Sequence, residues 1–219
     1  GRFGEYPFTD GGAIVDDATD IGFALENQTR PVYPAGFLPS AEEGEATVVH
    51  ELAHQWYGDR VALPAWRHIW LNEGFATYAE WLWSEHEGGR RAQRRFDLLC
   101  QLPADHPFWQ VEIGDPGPAD LFAGAVYVRG AMALHALRVT VGDADFFEIL
   151  RRWAVVPPTQ RATTRNFVAL AEQVSGQQLD GLFHEWLHAT HRPALSPALA
   201  EATAGPSDDP TGDQGSTGR

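Results

Sequence analysis

The sequence predicts a mainly α fold with a small β region at its N-terminal end, an α+β domain. Residues 1–39 are rich in glycine, proline and other turn formers, interrupted by short apolar stretches at 12–15 (GAIV) and 22–25 (GFAL). That is the composition of loops and short strands. From residue 40 onward, apolar residues recur at helical spacing between start and stop signals. With 43% apolar residues, eight tryptophans and twelve phenylalanines, the chain can fill a sizeable core.

Each element has its local cause. Ser40, with Glu43 three residues later, forms a capping box that opens the first helix. This helix is expected to run to about Tyr57, where Gly58 ends it. A second helix is predicted from about Leu71 to Glu87, stopped by Gly88 and Gly89. Further helices are predicted near 90–102, 123–141, 144–155, 165–175 and 178–189. From about Ala198 the periodicity fails, and the segment GPSDDPTGDQGSTGR has the composition of a disordered tail. The expected division is a catalytic domain at 1–197 (β part about 1–39, helical part about 40–197), then a disordered tail at 198–219.

Composition narrows the function. A net charge of −14 argues against a nucleic-acid surface. The run RRAQRR at 90–95 reads as the solvated face of a helix. The single cysteine, Cys100, excludes an internal disulfide and a cysteine-rich zinc site. No run approaches the roughly 18 apolar residues of a membrane helix, so no membrane role is expected. Compartment is left open.

The stretch VVHELAHQWYGD, 48–59, places His50 and His54 four apart with Glu51 after the first. On a helix, residues four apart are separated by about 40° in azimuth and about 6 Å along the axis, so both imidazoles reach one ion. Glu51 lies about 100° round from His50, near a water on that ion but not on the ion itself. A catalytic zinc needs a third protein ligand. Glu73 supplies it from the next predicted helix, in WLNEGFATYAE. The apolar stretch Trp70, Leu71, Phe75, Tyr78 and Trp81 buries one side of that helix, and a carboxylate held against a core needs a cationic partner. Thr77, one turn after Glu73, is a candidate to support it.

These motifs carry a resemblance. H-E-x-x-H, eighteen residues, then the Glu of NEGFATY is similar to the signature of the gluzincin aminopeptidases, the group of aminopeptidase N and leukotriene hydrolase. FALENQTR at 23–30 resembles the family's G-x-M-E-N motif, with Glu26 and Asn27 matching. VYVRGA at 126–131 resembles its Y-x-K-G segment, which assigns Tyr127. Phe23, Leu25 and Arg129 depart from the family's Gly, Met and Lys. The first two reshape the substrate cleft; the third keeps the charge.

The resemblance implies a thermolysin-like zinc peptidase catalytic domain with one Zn2+ per chain, held by His50, His54 and Glu73. It implies peptide substrates with a free N-terminus, Glu51 as general base, Tyr127 as donor to the oxyanion, and Glu26 pairing with the substrate ammonium. Ala24 and Asn27 flank Glu26 as substrate contacts. Family members carry a large N-terminal β domain before this region, which is expected in the parent protein. Two other readings share these motifs: a zinc-binding but inert fragment, and an epoxide hydrolase of the leukotriene-hydrolase kind.

The pattern recurs at His184, Glu185 and His188, with His191 nearby. Here Leu179, Leu182, Phe183, Trp186 and Leu187 form an apolar stripe on one face and the histidines lie on another. That is a surface-facing helix, and the position matching Glu73 is Ser207.

Overall fold

The chain's computed structural model describes residues 1–17, 22–35, 41–157 and 161–204, with the side chains of 41–43 left aside. α4 (Gly124–Val141) is the central helix, with Met132, Leu134 and Leu137 fully buried. A helix apolar nearly all round belongs inside a bundle. Around it pack α2 (Trp70–His86), α3 (Ala92–Cys100) and α5 (Asp143–Ala154), with α6 (Thr164–Ser175) on α5. α7 (Asp180–Phe183) runs on through a π turn at His184–His188, and α1 (Ala41–Ala53) lies against α2. Trp70, Phe75, Trp153, Phe167 and Phe183 share the aromatic core with ring centroids 5.2–6.2 Å apart. No described helix is long and apolar enough to cross a membrane.

The α2–α4 crossing is unusually close because both helices carry glycine there. A Cβ on Gly74 would lie 2.8 Å from the Cα of Gly130, and one on Gly130 would lie 2.8 Å from the Cα of Gly74. Either methyl would strike backbone, so only glycine permits this spacing. A buried polar tie stands beside it. Tyr78 hydroxyl donates to His135 Nδ1 at 3.0 Å, and His135 Nε2–H donates to Gln93 Oε1 at 2.9 Å, linking α2, α4 and α3.

The small β region is present with different partners. β1 (Ile14–Asp16) falls on the first predicted stretch, but its parallel neighbour is β2 (Val32–Pro34). The stretch at 22–25 contributes only an antiparallel bridge, Leu25 with Val32. Phe23 and Leu25 are exposed there, so apolar side chains did not mark a buried strand.

The first helix stops at Ala53 rather than Tyr57 and passes into a π turn, Gln55–Arg60. Tyr57 (φ −111°, ψ 74°) and Gly58 (φ 153°, ψ −67°) have left helical geometry. Ser40, the expected cap, lies outside the described residues.

The expected tail is corrected at its start. Pro197–Ala204 forms α8, whose Leu199 is buried against the core. One apolar anchor in a short alanine-rich segment gives too little periodicity to be read from sequence. The remainder of that tail, 205–219, lies outside the described residues.

Candidate active site

α1 delivers His50 and Glu51, His54 follows its last residue at the start of the π turn, and α2 delivers Glu73 from its first turn. The contact between α1 and α2 brings these groups to one place. Among the described residues, His50, His54 and Glu73 are the one group of histidines, cysteines and carboxylates whose ligand atoms converge, all within 4.8 Å of one another. His50 Nε2 stands 3.3 Å and His54 Nε2 3.4 Å from the same oxygen, Glu73 Oε2.

The other ring nitrogens are taken. His50 Nδ1–H donates to Glu80 Oε1 at 2.6 Å, and His54 Nδ1–H donates to the Tyr57 carbonyl at 3.2 Å. That carbonyl is available because the chain leaves helical geometry at Tyr57 and Gly58. Both Nε2 atoms therefore face Glu73, which leaves them as the ring nitrogens that would bind a cation once they give up their protons. The donor set of two imidazoles and one carboxylate, closed on its outer side, fits zinc.

The electrostatics agree. Burial opposes charge on His50, but Glu73 and Glu80 outweigh it and push its pKa up to about 10. Burial also opposes charge on Glu73, and the bonds from His50 and His54 override it, holding that carboxyl down at about 2. The buried site thus draws positive charge toward Glu73. Burial raises Glu51 to about 7, close to neutrality. Burial and then the charges of Glu73, Glu26 and Glu51 push the Tyr127 phenol well up, so it keeps its proton.

A cleft of about 700 Å³ opens on this group. Ala24, Glu26, His50, Glu51, His54, Glu73 and Tyr127 all line it. The Tyr127 ring stacks on His50 with centroids 6.0 Å apart, placed by α4. Trp66 and Phe122, both exposed, pair at 6.3 Å beside it. Asn27 is not in the lining: it is exposed, and its carbonyl accepts from Arg30 N–H at 3.1 Å. Thr77 is buried one turn after Glu73. A larger apolar groove of about 1290 Å³ lies between α1, α2 and the N-terminal segment, away from these groups.

Glu80 and Gln55 also stand beside the histidines, Glu80 bonded to His50 and Gln55 next to His54 in the chain. Glu80 lies seven residues after Glu73, on the same face two turns on, so helical spacing could have found it. Gln55 gave no such signal, because most of its partners lie in a loop more than twenty residues away.

Arg129 is fully buried rather than cleft-facing. Its guanidinium donates to the carbonyls of Trp109, Val111, Glu185 and Ala189 at 2.7–3.2 Å, tying two loops to α4. A guanidinium's several donors suit this four-carbonyl role. At the second H-E-x-x-H, His188 pairs with Glu112 at 2.9 Å and His191 with Glu185 at 3.6 Å, so the groups disperse.

A helical domain with a small β region, carrying two histidines and a glutamate over an open acidic cleft, has the architecture of a metallopeptidase catalytic domain. The family profile described as the Peptidase family M1 domain matches residues 38–186, and the chain belongs to that family. Aminopeptidase M1-D of Oryza sativa subsp. japonica is 31% identical, over 80% of this chain and 22% of its own length. Aminopeptidase N of Streptomyces lividans is 30% identical, over 70% of this chain and 19% of its own length. The crystal structure of an M1 zinc metallopeptidase from Deinococcus radiodurans superposes with a TM-score of 0.76 and 32% identity, over 89% of this chain and 42% of that one. Leukotriene A4 hydrolase from Saccharomyces cerevisiae, at TM-score 0.67 and 21% identity, shares the fold over 90% of this chain and 33% of its own. The chain thus spans about a fifth of the length of the curated relatives it matches.

Proposed function

We propose that the chain is the hydrolytic core of a zinc aminopeptidase that releases the N-terminal residue of peptides. The observation that carries this reading is the pair of Nε2 atoms facing Glu73, with each Nδ1 already bonded outward. Through these atoms His50, His54 and Glu73 would hold one Zn2+. When bound, zinc supplies a Lewis acid that acidifies water and polarises a carbonyl oxygen.

The chain's own groups do the rest. Glu51, with its pKa about 7, takes the proton of the attacking water and returns it to the leaving amine. Tyr127, kept protonated, donates a hydrogen bond to the carbonyl oxygen as negative charge develops there. Glu26 in the cleft wall pairs with the substrate ammonium, which limits cleavage to the first peptide bond. Four carboxylates line the cleft (Glu26, Glu51, Glu73 and Glu80), and that charge favours a metal cation and an ammonium over an anionic substrate.

Replacing Glu51 tests the assignment. Glu51→Gln keeps the shape but cannot shuttle a proton, so hydrolysis of aminoacyl anilides is expected to fall about 10²–10⁴-fold with zinc content unchanged. Retained turnover with bound zinc would remove Glu51 from the mechanism.

A further inference from the structure

Gln55 follows His54 directly and is fully buried, yet its side chain is spent on a segment more than twenty residues away. Its Oε1 accepts the Thr29 N–H at 2.6 Å and the Tyr6 hydroxyl at 3.3 Å. Its Nε2 donates to Asp59 Oδ2 at 2.7 Å and, at longer range, to the carbonyls of Asn27 and Glu26 at 3.4 and 3.5 Å. These bonds reach backbone on both sides of Asn27, in the turn that carries Glu26.

Backbone bonds between Leu25 and Val32, at 2.8 and 2.9 Å, close that turn on itself, and the Gln55 side chain ties it to the residue next to His54. Phe23 and Leu25 expose their side chains, so burial does not pin the segment. Thr29 sits at φ 63°, a left-handed conformation unfavourable for a β-branched residue. Such a residue stays there where its surroundings over-determine it. The shortest bond in the network ends on its amide.

We infer that Gln55 is a positioning residue, which fixes the distance from the Glu26 turn to His54 and so sets where a substrate amine is held. This rests on the reading of Glu26 as the amine anchor. A conserved fold alone would need a buried residue at this position, but not one bonded to the backbone of that turn.

The test compares Gln55→Met, which keeps size and removes both bonding groups, with Glu26→Ala and the double variant. Zinc content should be unchanged in all three. For an aminoacyl anilide, Gln55→Met is expected to lower kcat/KM at least about tenfold, mainly through KM. Adding it to Glu26→Ala should cost less than about threefold more, because both act on one contact. Amide exchange at Thr29 should speed up in Gln55→Met while amides in α2 keep their rates, a readout that needs no turnover. If Gln55→Met does not fold, Asp59→Ala cuts the same network at a half-buried end and should move both readouts in the same direction. Unchanged KM and unchanged Thr29 exchange beside a damaged Glu26→Ala would overturn the inference alone. An unaffected Glu26→Ala would remove the amine-anchor reading, and the inference with it.

Discussion

Glu80 shows how a residue outside the metal group acts on it. Its carboxylate accepts a hydrogen bond from His50 Nδ1–H, which fixes the ring and leaves Nε2 facing Glu73. Glu80→Ala should therefore keep the fold but weaken zinc about 10–100-fold, as losses of such outer partners do. Chelator competition on the purified variant measures it, and unchanged affinity would show that His50 is oriented by something else. At this scale the sequence was informative wherever function imposed a spacing. The convergence of His50, His54 and Glu73 was legible from helical geometry and the need for a third ligand. Gln55 was not, because a buried amide bonded to a distant turn leaves no periodic trace. Asn27 lies outside the cleft lining, since a match to a motif says nothing about which way each residue of a tight turn faces.

Among the elements, α2 and α4 set the site's dimensions: one carries Glu73 and the other Tyr127, and they touch at Gly74 and Gly130. Gly74→Ala would drive a methyl into the Gly130 backbone, and overpacking of this kind costs about 1–3 kcal/mol. A lowered urea midpoint, with turnover falling as Tyr127 moves away from His50, is the expected outcome; unaltered stability would mean the helices can part freely. The same two helices share a pH-sensitive tie at His135. Burial, then the charge of Arg138, holds its pKa down at about 3. The unfolded chain takes up a proton near pH 6.5 and the folded chain does not, so stability is full above pH 6.5 and drains as pH falls toward 3. Between pH 6.5 and 5 this amounts to about 2 kcal/mol. In metal-free protein, His135→Gln should flatten that loss relative to the unsubstituted chain, measured as urea midpoints at pH 7 and 5. Helix existence was readable from periodicity and glycine stops. The end of α1 was not, because the helix gives way to a π turn at Gln55, ahead of the glycine that marks the stop in the sequence. Nor was α8, in which Leu199 is the buried apolar residue.

For the whole molecule, the proposed chemistry requires one metal per chain at one of two similar motifs. A metal bound only by the folded state adds its binding free energy to stability, so stripping zinc should lower the melting temperature and restoring it should recover the loss. The first motif converges on Glu73; the second spends His188 on Glu112 at the surface. The most direct measurement is zinc content, by elemental analysis, of the unsubstituted chain and of its His54→Ala and His188→Ala variants. Close to one zinc per chain is expected in the first, none in His54→Ala, because two ligands do not complete a catalytic shell, and an unchanged value in His188→Ala. Zinc retained by His54→Ala and lost from His188→Ala would contradict the assignment.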